Sequence, residues 1–292
     1  MVMRLSLFAL SLSLLVGCGG PEQPDPVTNV DEYTLDSCET QIGADVPAFF
    51  AKYFRCVTIS MDGDSVVIES KGLPPHKSFY YASASANHTG YVSQGQGYYQ
   101  NPNQIAEQNI RMVVPSAPQP RGLSINDALV DGQVGSSFDE YGMGAVGVAL
   151  DSVALFNPLA APGDDIEAEK FSFDPYGGHP EMRGAYHYHT TTAGPLEVLA
   201  AAGLTSSTVP GEASVEVYGV MCDGTVVLGC TELDGSAPDP ATLDAQNGHV
   251  HDMVDEEGTV HFEGRYHVHI CPGTLTAHGF TPEIMYYSDC SI

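Results

Sequence analysis

The chain has 292 residues, 43% of them apolar, and its 37 acidic against 10 basic side chains leave a formal charge of −27. Such a field repels phosphate backbones and anionic headgroups, so nucleic acid and acidic lipid are excluded as ligands. The length suffices for a sizeable core in one large or two small domains.

Residues 1–18 read as an export signal. Arg4 supplies the positive start, Leu5 to Val16 an apolar run broken only by serines, and Leu15-Val16-Gly17-Cys18 a lipobox. The run is short for a spanning helix, and acylation of Cys18 anchors a protein to a membrane without crossing it. The expected location is therefore the extracytoplasmic side of a bacterial cell envelope, foremost the outer membrane, with that membrane as partner and substrate or protein partners open. Residues 19–32, rich in Gly, Pro and polar side chains, form a flexible linker to a domain over 33–292. Seven cysteines less Cys18 leave six, an even number that suits disulfides in an oxidising compartment. The sequence-local pairing is Cys38–Cys56, Cys222–Cys230 and Cys271–Cys290, the middle one bracketing an Asp223-Gly224 turn.

An N-terminal β part spans 33–125. Val46, Phe49, Phe50, Tyr53 and Phe54 recur at helical spacing, with Pro47 suited to the first turn. Residues 56–60 and 65–70 are β-rich runs split by Met61-Asp62-Gly63-Asp64, a hairpin signal, and Ile110 to Pro115 is a further strand.

From 140 to 271 the chain repeats itself. Gly147-Val148-Ala149-Leu150-Asp151 is matched by Gly219-Val220-Met221-Cys222-Asp223. Asp174, then three intervening residues and Gly178-His179, and then Gly184-Ala185-Tyr186-His187-Tyr188-His189, is matched by Asp244, Gly248-His249 and Gly264-Arg265-Tyr266-His267-Val268-His269. Between the copies, residues 195–203 suit a short helix. Short strands and many Gly and Pro predict a mainly β fold, a sandwich or barrel-like arrangement with few short helices. The duplication predicts two units related by an approximate twofold, with the two His-x-His strands meeting in the middle.

Side chains two apart on a strand share a face and stand roughly 6.6 Å apart, within reach of one ion. His179, His187, His189, His249, His267 and His269 are thus the candidate metal ligands, and they exceed one tetrahedral site. Imidazole without thiolate points to Zn or Cu. Asp174 and Asp244 can ligate or accept a ring proton, and His251 beside His249 is a further candidate. His261 and His278 are read as packing or surface residues, and His88 is left unassigned. Two functions follow: a lipid-anchored metal-binding protein, or a metal-dependent enzyme, a hydrolase before a copper oxidoreductase. No serine elbow, phosphate loop or dinucleotide fingerprint is present.

The chain resembles the YHYH-domain family of secreted proteins. The resemblance rests on Gly178-His179-Pro180 with Tyr186-His187-Tyr188-His189, on Gly147-Val148-Ala149-Leu150 and Phe156-Asn157-Pro158, and on Gly72-Leu73-Pro74-Pro75-His76 and Asn101-Pro102-Asn103. It spans roughly residues 56–270, departs from the motif at Val268, and adds His76 as a possible further ligand. It implies a secreted location and a domain extent, and supplies no reaction.

Overall fold

Thr58–Asp62 (β2), Ser65–Ser70 (β3) and Ile110–Pro115 (β4) pair antiparallel in order, with the short Gln41–Ile42 (β1) parallel to β2 at the edge. The β2–β3 turn places Gly63 at φ 58°, where a side chain is disfavoured. Helix α1, Ala48–Tyr53, begins after Pro47 and buries Phe49, Phe50 and Tyr53. The computed structural model describes residues 24–29, 31–161, 165–272, 279–288 and 290; Cys18 and His278 lie outside them.

The second sheet has eight strands: Gly147–Ala149 (β5), Ala154–Leu155 (β6), Gly178–Pro180 (β7), Tyr186–Tyr188 (β8), Val217–Met221 (β9), Val226–Leu228 (β10), Gly248–Val254 (β11) and Val260–His269 (β12). Their order is β11-β12-β10-β9-β5-β6-β8-β7. Read outward from the β5–β9 pair, each half is hairpin, then parallel strand, then antiparallel edge. Gly147 pairs with Met221, Val148 with Val220 and Ala149 with Gly219. Adding 72 turns each β5 number into its β9 counterpart (147 to 219, 148 to 220, 149 to 221), so the pairing is symmetric about Val148 and Val220.

The fold is mainly β, with twelve strands in two mixed sheets among the described residues, neither closed into a barrel. The other helices there are also short: Ile166–Glu169 (α2) and Ala193–Ala201 (α3). No helix among these residues is long and apolar enough to cross a membrane. One buried cluster runs from Phe49, Phe54 and Ile68 through Val148 and Tyr186 to Val220 and Val268, so both sheets share a core.

Two expectations are corrected. The histidine strands do not meet in the middle. β8 and β12 lie toward opposite ends of the sheet with β6, β5, β9 and β10 between them, five strand spacings or about 24 Å apart. The disulfides are Cys38–Cys56, as read, but then Cys222–Cys290 and Cys230–Cys271. Val226 pairs with Val220 and Leu228 with Val217, so Cys222 sits at the turn end of the β9–β10 hairpin and Cys230 at its open end. A disulfide needs Cα atoms within about 7 Å, which the hairpin does not allow these two.

Candidate metal centres

In each half the Gly-His strand runs antiparallel to the Tyr-His strand, which sets His179 opposite His187 and His249 opposite His267. Directly opposed residues share a face, so alternation brings His189 and His269 to the same side. The tyrosines take the other side. Tyr186 Oη donates to Asp174 Oδ1 at 2.8 Å and Tyr266 Oη to Asp244 Oδ2 at 2.7 Å. Each tyrosine ring lies over the glycine of Gly-His: a Cβ on Gly178 would stand 2.5 Å from Tyr186 Cζ, and one on Gly248 1.9 Å from Tyr266 Oη. The preceding position needs left-handed backbone, taken by Gly177 at φ 70° and Asn247 at φ 59°.

The first centre joins His179, His187 and His189, all buried. His187 Nε2 lies 3.0 Å from the Nε2 atoms of both His179 and His189. The outer ring nitrogens fix which nitrogen carries the proton. His187 Nδ1 faces the Ala185 carbonyl at 2.9 Å and His189 Nδ1 the Asn157 carbonyl at 2.6 Å; carbonyls only accept. His179 Nδ1 faces Ser172 Oγ at 2.6 Å, and that hydroxyl already donates to the Glu169 carbonyl at 2.8 Å, so it too accepts. All three protons therefore sit on Nδ1, and three Nε2 lone pairs converge. Burial, with His189 nearby, lowers His179 to about 3, and burial lowers His189 to about 4. Burial and both neighbours hold His187 well below its ordinary value. Such rings resist protonation, and a cation is the natural partner for their lone pairs.

The second centre repeats the plan. His249 Nδ1 meets Thr242 Oγ1 at 2.8 Å, whose proton goes to the Asp239 carbonyl at 2.8 Å. His267 Nδ1 faces the Arg265 carbonyl at 3.0 Å, and His269 Nδ1 the Gly229 carbonyl at 2.9 Å. The repeat thus extends to the groups behind the rings: Ser172 and Thr242, Ala185 and Arg265, Asn157 and Gly229. This centre also has His251, whose Nδ1 faces the Asp252 carbonyl at 2.7 Å, and Glu232. Glu232 Oε1 lies 3.1 Å from His249 Nε2 and 3.3 Å from His269 Nε2, while Oε2 lies 3.2 Å from His251 and 3.1 Å from His267. Burial raises the Glu232 carboxyl, but the rings of His249, His267 and His269 around its oxygens outweigh it and hold the group well below the usual carboxylate range. Burial lowers His267 in turn, against the pull of Glu232.

Sequence patterns did not single out Glu232, because it sits past β10 outside the repeated motif. Glu169 Oε1, 3.5 Å from His179 Nε2, was likewise unmarked. Asp174 and Asp244 are among the sequence candidates, yet neither touches a histidine of the clusters. Besides its tyrosine, each accepts the backbone N–H of the residue two positions on and closes the turn into Gly-His. His76 lies on the tyrosine side of β8, stacked on Tyr176 at 3.5 Å with Nε2 3.0 Å from Tyr188 Oη. A cavity of about 800 Å³ lined by Leu159, Gln246, Phe280 and Glu283 holds none of these histidines.

Residues 132–237 match the family model described as YHYH protein. The YHYH match bears out the resemblance read from Tyr186-His187-Tyr188-His189, over a narrower span. It takes in β5 to β10, the first centre and Glu232, and ends ahead of His249, His267 and His269. No curated protein and no solved structure matches the chain.

Proposed function

We propose that this is an extracytoplasmic metal-binding protein, tethered by lipid on Cys18, that holds Zn or Cu at two histidine centres. One observation carries the reading: the outer nitrogen of every clustered ring faces an oxygen that accepts its proton, so the Nε2 lone pairs converge on one another in the first centre and on the Glu232 carboxylate in the second. Buried lone pairs 3.0 Å apart repel, and an ion between them turns that repulsion into ligation. All six cysteines of the domain are in disulfides, so the donors are nitrogen and carboxylate oxygen, a set that suits Zn and Cu. When bound, an ion would cross-link β7 to β8 and β11 to β12 and, at the second centre, would offset the charge of Glu232. The lipobox at Cys18 and the disulfides support the envelope location.

Elemental analysis of untagged protein tests this. The expected content is about two Zn or Cu per chain, with His187→Ala and His267→Ala each losing about one. Full metal in both variants, or protein that takes up no added ion, would overturn the assignment.

A further inference from the structure

We propose that the two centres divide the work: the first is a sealed site that keeps its ion, and the second is an exchange port that takes a divalent transition cation from solvent and releases it. This rests on the metal-binding reading and deepens it.

The donors differ first. His251 occupies the place of Glu181 (His249 and His179 differ by 70, as do 251 and 181), and Glu232 the place of Ala160 (Gly229 and Asn157 differ by 72, as do 232 and 160). Glu232, His249, His251 and His267 stand close enough together to hold one ion, and His269, with Nε2 3.2 Å from that of His249, is a further nitrogen beside them, so one donor can let go while the others hold. Access differs as well. The His251 side chain is 39% exposed, against 4% for His179. Phe156 stacks on His187 at 3.7 Å and Phe173 packs edge-on to His179, closing the first centre. The matching positions in the second half are Leu228 and Leu243, and no aromatic lid forms from them.

The approach differs most. A cleft of about 380 Å³ opens on Glu232, His249 and His251, and Asp234, Asp239 and Asp252 stand along it. His179, His187 and His189 line neither this cleft nor the larger cavity. A groove walled by carboxylates concentrates cations and speeds their arrival, and it disfavours phosphate or carboxylate ligands. The cleft therefore leads a hydrated cation to a ready set of nitrogens, with Glu232 as the last carboxylate on the way and a donor at the end.

The test is Zn²⁺ release from the fully loaded full-length chain into excess 4-(2-pyridylazo)resorcinol at neutral pH. Two phases of about one equivalent each are expected, the fast at least about tenfold quicker. His251→Ala, at an exposed position, should alter only the fast phase, and His187→Ala should remove only the slow one. Uptake into the fast site should slow severalfold between about 0.02 and 0.5 M salt. Two equivalents leaving in one phase, or a fast phase abolished by His187→Ala, overturn the division while leaving metal binding intact. A chain that binds no Zn²⁺ overturns both.

Discussion

Gly178 and Gly248 show how a single missing side chain shapes each centre. Each lies beneath a tyrosine whose hydroxyl reaches the turn aspartate, and each precedes the histidine of its strand. Gly248→Ala puts a methyl where Tyr266 Oη lies, so the ring must leave Asp244; a loss of about 1–3 kcal/mol is expected as a shift of the urea midpoint. Gly63→Ala, in a turn with open space around it, controls for backbone effects alone. The glycine was legible in the sequence as part of Gly-His, and with it His179 and His249; the other four rings were legible because period-two spacing survives any tertiary arrangement. The duty of Asp174 and Asp244 was not legible, since a carboxylate four positions before Gly-His suits a ligand and a turn cap equally. Glu232 carried no signal at all: it reaches the rings only because β10 runs parallel to β12.

That parallel pairing also explains the cysteines. Leu228 pairs with His269, and continuing the register two residues brings Cys230 to Cys271. Cys222, at the hairpin turn, is left for Cys290 in the C-terminal segment that returns past Tyr287, whose N–H bonds Asp223. A non-reducing digest should yield the peptides joined as Cys222–Cys290 and Cys230–Cys271. A Cys222–Cys230 peptide would mean that the β9–β10 register is wrong. Reduction is expected to cost about 2–5 kcal/mol per bridge removed. Strand existence and the hairpins were readable from β-branched runs and turn residues. Strand order was not, because neighbours in the sheet are chosen by packing among distant segments.

Across the whole molecule the tyrosine side of the first half holds two buried carboxyls. Burial pushes Asp151 up to about 7 and Asp174 up to about 6, against hydrogen bonds from Tyr188 and from Ser78 and Tyr186 that pull the other way. A carboxyl with a raised folded pKa holds its proton more tightly when folded, so its contribution is complete below the unfolded value near 4 and is lost as pH rises to the folded one. Asp151→Asn should therefore gain stability relative to the parent between about pH 4.5 and 8, by less than about 4 kcal/mol, in denaturation curves taken at both pH values. A constant difference across that range would show Asp151 ionised throughout. The central seam has a larger consequence. Like strands joined antiparallel in symmetric register are how two identical subunits meet edge to edge about a twofold axis. In a true homodimer every substitution appears twice, so a lid gained on one side is gained on both. Covalent fusion frees the halves from that rule: Phe156 and Phe173 shield one cluster while His251 and Glu232 enlarge the other, and a single chain presents two unlike centres on one scaffold.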